Sequence, residues 1–198
     1  MGRLEVLESL INLESPHHRG LTPFVASGSL LAVLLLMGAE LLVSRRNEVR
    51  LRAQGALEPP GDVYRAMRWT YPGAFALMAL EGALFGPEPG AATIAGVVVL
   101  AASKLLKCWA MATLGPRWTY RVLVLPGAPL VTGGPYALAR HPNYIAVVGE
   151  LLGMALLVGA RLTGPATIVL FSLLLRVRIR VEDGALRSPH CARSSAGT

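Results

Sequence analysis

Charge is scarce in this chain. Aspartate, glutamate, lysine and arginine make up 16% of its 198 residues, where a soluble domain carries nearer a quarter. Cysteine is scarcer still. Of the two present, Cys108 falls inside an apolar segment and Cys191 in the C-terminal tail, so no disulfide framework is implied. Aromatic residues are few, at 6%, and do not alternate with basic ones as stacking platforms for bases. Neither helix-turn-helix nor zinc-ligand spacing occurs, so neither a metal site nor a nucleic-acid partner is expected. A cleavable signal peptide is not expected either. The first 20 residues mix both charges and lack an apolar core followed by small residues.

What the chain has instead is apolar length. Hydrophobic residues make up 53% of it, its mean hydropathy is +0.50, and the apolar residues come in blocks of bilayer-crossing length. These predict an all-α, polytopic transmembrane bundle of about five spans, near 24–43, 67–85, 91–113, 143–160 and 166–175. The last two are short and suit a tilted C-terminal hairpin. Residues 1–22 read as an amphipathic lead-in. The basic run 44–52 reads as a helix continuing past the first span, and 86–90, dense in proline and glycine, as a tight turn. A segment of membrane helices, 1–113, and one of loop, hairpin and tail, 114–198, are expected to form one structural unit.

Lysine and arginine set the orientation. The segments 45–65, 114–142 and 176–198 hold thirteen of them; 1–23, 87–90 and 161–163 hold three. The rich side is expected to be cytoplasmic, with the N-terminus outside and the C-terminus inside. The long loop 114–142 and the segment 176–183 then share a compartment that a water-soluble cofactor reaches.

Two stretches have the residues for chemistry. In the loop, Gly133-Gly134-Pro135 forces a bend, Tyr136 follows, and Arg140-His141 precede Pro142 at the start of a helix. Arg140 suits a carboxylate, and His141 a hydrogen bond or proton transfer. The same residues also suit a plain interfacial anchor. In the second stretch, Arg178 and Glu182 stand one helical turn apart and are expected to pair, with Asp183 beside them. Five ionisable residues fall within the spans: Glu40, Glu81, Lys104, Lys107 and Glu150. Such residues usually face the protein interior. The lysines are expected to snorkel to the boundary. Glu150, two turns after Asn143, is expected to point into space beside the loop. Trp109, Trp118 and Tyr120 read as an aromatic belt.

Together, Gly134-Pro135-Tyr136, Arg140-His141-Pro142-Asn143-Tyr144, an apolar hairpin and Arg178-Ile179-Arg180-Val181-Glu182-Asp183-Gly184-Ala185-Leu186 resemble the isoprenylcysteine carboxyl methyltransferase family. That family carries GPY and RHPNY, a hairpin, then R-I-x-x-E-E-x-x-L. Here its second glutamate is Asp183. The likeness covers residues 100–186 and is similar to a bacterial branch with methyltransferases of alkylpyrone or alkylresorcinol lipids. It implies S-adenosylmethionine as cofactor and methyl transfer to an oxygen of a lipidic acceptor. It also implies a bacterial inner-membrane location. By resemblance, Tyr136, Arg140, His141, Pro142 and Tyr144 line the cofactor pocket, Glu182 and Asp183 hold the cofactor's polar end, and Arg178 stands near the acceptor. His141 and Glu150 are candidates for a phenol's proton. Two rivals remain at this stage: a membrane reductase of related sterol-reductase architecture, and a non-catalytic transporter or scaffold.

Overall fold

The structure, a computed structural model, describes residues 21–86 and 89–187. Nearly all of the expected lead-in, the centre of the turn 86–90, and Cys191 with its tail lie outside the described residues. Among the described residues five α-helices follow one another: α1 (Leu21–Ala53), α2 (Tyr64–Phe85), α3 (Ala91–Leu114), α4 (Pro142–Val158) and α5 (Thr163–Arg187). Short 3-10 turns stand at Gly115–Arg117 and Gly134–Ala137. Among the described residues there is no sheet; a lone antiparallel bridge joins Leu57 to Val124. The all-helical expectation is met.

Two stretches, Leu21–Ala53 and Ala91–Arg117, are long and apolar enough to cross a membrane. Their outer faces expose Leu31, Leu35, Leu42, Ile94, Val98 and Leu105. A belt of that kind finds its natural solvent in lipid. The basic run 44–52 continues α1, as expected. The expected span 166–175 and the charged segment after it form a single helix of 25 residues. Its charged half has no breaker before Gly184, and one glycine near a helix end costs only about 1 kcal/mol.

Packing is closest between α3 and α4, where glycines face backbone. A Cβ on Gly153 would stand 2.5 Å from the Leu100 amide nitrogen, and one on Gly96 would stand 2.3 Å from that of Leu157. Small residues bring helices together in this way where water does not drive them. The core beside this seam holds Phe75, Met78, Leu151, Met154 and Phe171, all fully buried. At one end of the bundle, Glu81 accepts hydrogen bonds from the amides of Leu162 and Thr163 (2.9 and 2.7 Å). Glu81 therefore caps the start of α5, meeting orphan donors there. At the other end the chain gathers everything polar.

Candidate functional site

The polar end is built from five segments. Asn47 on α1 donates to the carbonyl of Trp118 (2.8 Å), and Ser44 accepts from the Tyr120 amide (2.8 Å). These pin the loop after α3 onto the extension of α1. Trp118 in turn donates to Asn143 at the start of α4 (3.3 Å). Trp118 is 2% exposed and Tyr120 donates to Glu40 (2.7 Å), so neither belongs to an aromatic belt. Trp109 alone of the three is exposed. The loop folds inward because its aromatic residues find polar partners there, which sequence position alone does not reveal.

Pro142 fixes the entry into α4. His141 before it takes φ −130°, ψ 63°, outside the helical region as a residue before proline should be. This sets the His141 ring against Tyr144, with centroids 5.3 Å apart and planes at 14°. Tyr144 is the junction of the site. Its hydroxyl donates to Glu182 (2.6 Å) and accepts from Arg178 Nε (3.0 Å). The direct Arg178–Glu182 pair expected from i,i+4 spacing is therefore not formed; the Tyr144 hydroxyl stands between them. Arg178 is gripped from other sides as well. It contacts Asp62 Oδ1 at 3.3 Å and donates to the Tyr120 carbonyl. Asp62 also accepts from the amides of Tyr64 and Val122 (both 3.1 Å). Sequence reasoning missed Asp62, whose only mark is that it closes the Pro59-Pro60-Gly61 turn.

Above Tyr144, Arg140 reaches Asp183 at 3.0 Å, and His141 lies 3.5 Å from Asp183 and 3.9 Å from Glu182. The two motifs thus meet across the end of the bundle. They border a cavity of about 860 Å³ whose wall includes Tyr136, Arg140, His141, Tyr144, Arg178 and Glu182. Pro142 and Asp183 stand behind this wall. Burial, and then the charge of Glu182, raises the Tyr136 phenol above its ordinary pKa, so it faces the cavity as a neutral ring. Deeper down the wall turns apolar, with Leu34, Met37, Met67, Trp69, Phe171 and Leu175. Phe171, Leu175, Arg178 and Glu182 fall at spacings of four, three and four, so one face of α5 runs from apolar floor to charged rim.

The lysines do not snorkel. Lys107 is 1% exposed, and both lysines turn inward to Glu40 and Glu150. Pairing offsets the cost of burying the charges, and the interior acids decide the direction. Glu150 is fully buried and lies behind Lys107, which itself borders the cavity.

The model of the isoprenylcysteine carboxyl methyltransferase family matches residues 94–188, which hold both motifs. The uncharacterised protein YpbQ of Bacillus subtilis is 34% identical over 159 residues, 80% of this chain and 95% of its own length. A protein of Haemophilus influenzae is 27% identical over 92 residues, 46% of this chain and 54% of its own. No solved structure matches the chain.

Proposed function

Since the chain belongs to the isoprenylcysteine carboxyl methyltransferase family, we propose that it transfers a methyl group from S-adenosylmethionine to an oxygen of a lipidic acceptor. The observation that carries this reading is one cavity that joins a charged, aromatic rim to an apolar floor. Chemistry between a soluble donor and a lipid needs both environments side by side.

The rim fits the donor's functional groups. Tyr136 and the stacked His141–Tyr144 pair offer flat faces for a base. Glu182 and Asp183 offer carboxylates for an ammonium, and Arg140 a fork for a carboxylate. His141 Nε2 and Asp183 Oδ1 lie 3.5 Å apart, with Arg140 3.0 Å from the same oxygen, so groups of both signs stand together at the rim. When bound, the donor supplies an already activated methyl. The protein's task is then to position and to exclude water. Arg178, one turn below Glu182 and clamped by Tyr144, Asp62 and the Tyr120 carbonyl, is a rigid cation facing the acceptor's end of the cavity.

The floor reaches Leu34 on α1 and Trp69 on α2, which are 40% and 71% exposed. A lipid tail would enter sideways there, between the helices, while the donor enters at the rim. The basic segments 45–65, 114–142 and 176–187 adjoin that rim. This supports five spans in a bacterial plasma membrane, with the rim and C-terminus cytoplasmic.

Membranes containing the protein should transfer labelled methyl from S-adenosylmethionine to an alkylresorcinol or to a prenylcysteine, and which of the two takes the label sets the acceptor class. Saturable NADPH binding, with none for S-adenosylmethionine, would overturn the reading in favour of a reductase.

A further inference from the structure

Below the rim, aromatic rings close one part of the cavity. Phe171 on α5 and Tyr71 on α2 both border it, with ring centroids 5.0 Å apart. Phe75 packs against Tyr71 edge to face at 5.1 Å, and the Tyr71 hydroxyl donates to Glu150 (2.7 Å). Phe75, Met78, Leu151, Met154 and Phe171 are fully buried, and of these five Phe171 alone reaches the cavity. The Tyr71–Phe171 pair is thus a stop on top of a packed core, and such a core resists an intruding group.

The stop is shallow. Phe171 lies seven residues before Arg178 on the same face of α5, about 10 Å along the axis. A tail reaching from the boundary to the middle of a bilayer needs about 15 Å, half of a hydrocarbon core of roughly 30 Å. An acceptor with its oxygen at Arg178 and a tail of that length meets Phe171 before the tail ends. Space lies to the side instead. Leu34, Gly38 and Leu41 of α1 border the cavity at spacings of four and three, one face of that helix. A Cβ on Gly38 would meet nothing within 4 Å. Close packing therefore does not account for Gly38, although glycine is unfavourable inside a helix. On α2, Trp69 borders the same cavity and is largely exposed.

Resting on the methyltransferase reading, we propose that Phe171 and Gly38 determine which acceptor tails are taken. The tail stands along α5 as far as Phe171, is stopped there, and turns out of the bundle past Gly38. Flexible tails are accepted whatever their length, and a rigid tail longer than the path to Phe171 is refused.

The test reads binding, without methyl transfer. The full-length protein in lipid nanodiscs is titrated with resorcinols and with N-acetylcysteine thioethers, each head bearing a pentyl, a pentadecyl or a terphenyl tail, at equal mole fraction in the bilayer. The terphenyl rod is longer than the path to Phe171. In Phe171→Ala the path runs on to Thr167, one turn further down the same face and about 16 Å below Arg178, and the rod fits. On the head that binds, the wild-type protein should hold the pentadecyl tail about tenfold tighter than the rod, about 1.4 kcal/mol. Phe171→Ala should bring the two within about twofold. A ratio between tails on one head is not moved by partial loss of folded protein. Gly38→Leu puts its side chain into open space and so tests the exit even if Phe171→Ala does not fold. It should weaken the pentadecyl tail about tenfold more than the pentyl tail, which ends above the stop. A rod bound by wild type as tightly as the pentadecyl tail overturns the proposal. So does an unchanged preference in folded Phe171→Ala, an equal loss of both alkyl tails in Gly38→Leu, or no saturable binding of any probe. The expected preferences without labelled methyl on either head support the bent tail and sink the methyltransferase reading alone.

Discussion

At the scale of single residues, Tyr144 and Arg178 organise the site because each has several partners. Tyr144 joins Glu182 to Arg178 through one hydroxyl and supports the His141 ring with its face. We expect His141→Ala and Glu182→Gln each to weaken S-adenosylmethionine binding about tenfold, about 1.4 kcal/mol, with the helices intact by circular dichroism. Unchanged affinity in both, by isothermal titration, would remove the rim from the donor site. Arg178→Ala is expected to lower turnover far more than donor affinity. It should also cost roughly 3 kcal/mol of stability, because it strips a buried carboxylate, Asp62, of its cation. Arg178→Lys keeps the charge but loses the fork, so it should restore Tm more than turnover. The residue types and spacing of this site are legible in the sequence. Its wiring is not: i,i+4 spacing permits an Arg178–Glu182 pair, and only the neighbouring helix decides that a tyrosine stands between them.

At the scale of elements, the α3–α4 seam is the tightest part of the molecule. Gly153→Ala would press a methyl against the Leu100 backbone and is expected to cost about 1–3 kcal/mol, as overpacking does. Gly28→Ala on α1 meets nothing within 4 Å and should hold or raise stability by up to about 1 kcal/mol. Thermal unfolding in detergent separates the two, and equal effects would contradict the seam. The loop is held from the side by Glu58, which takes Arg52 and Arg121 (the latter at 2.7 Å). Burial tends to raise the Glu58 carboxyl, but hydrogen bonds from those arginines hold it below its ordinary range. A carboxyl lowered on folding stabilises the fold above its unfolded pKa and loses that contribution as pH falls through its folded value. Acid should therefore loosen the loop around Val124, by less than about 1 kcal/mol at so exposed a pair. Amide exchange at Leu57 and Val124 in wild type and Glu58→Gln checks this: the acid-induced rise should shrink in the variant. Helix periods and breakers in the sequence mark these elements within a few residues. In the last helix the apolar content ends at Leu175 while backbone hydrogen bonding continues to Arg187, so hydropathy marks the span and not the whole helix.

At the scale of the whole molecule, the chain divides into a lipid-facing belt, a neutral ionic interior and a basic, polar end. A reporter fused after residue 198 should be active only if cytoplasmic, and one inserted at 161 only if external. The reverse pattern would turn the rim away from its soluble donor and contradict the proposed orientation. Packing gives the cavity its two characters at once, since α1 and α2 frame the apolar floor while the loop and α5 close the rim.

Sequence alone determined the membrane class, the all-helical architecture, the family and the two motifs, because hydropathy, helix breakers and motif spacing are local properties of the chain. Only the tertiary structure decided where the intramembrane charges go. A lysine in an apolar helix can reach the boundary or turn inward, and its own neighbours in sequence do not distinguish the two. The inward choice needs Glu40 and Glu150, which arrive on other helices and offset the cost of burying Lys104 and Lys107. For the same reason Trp118 and Tyr120 left the expected boundary belt, and Asp62, silent in the sequence, became the anchor of Arg178.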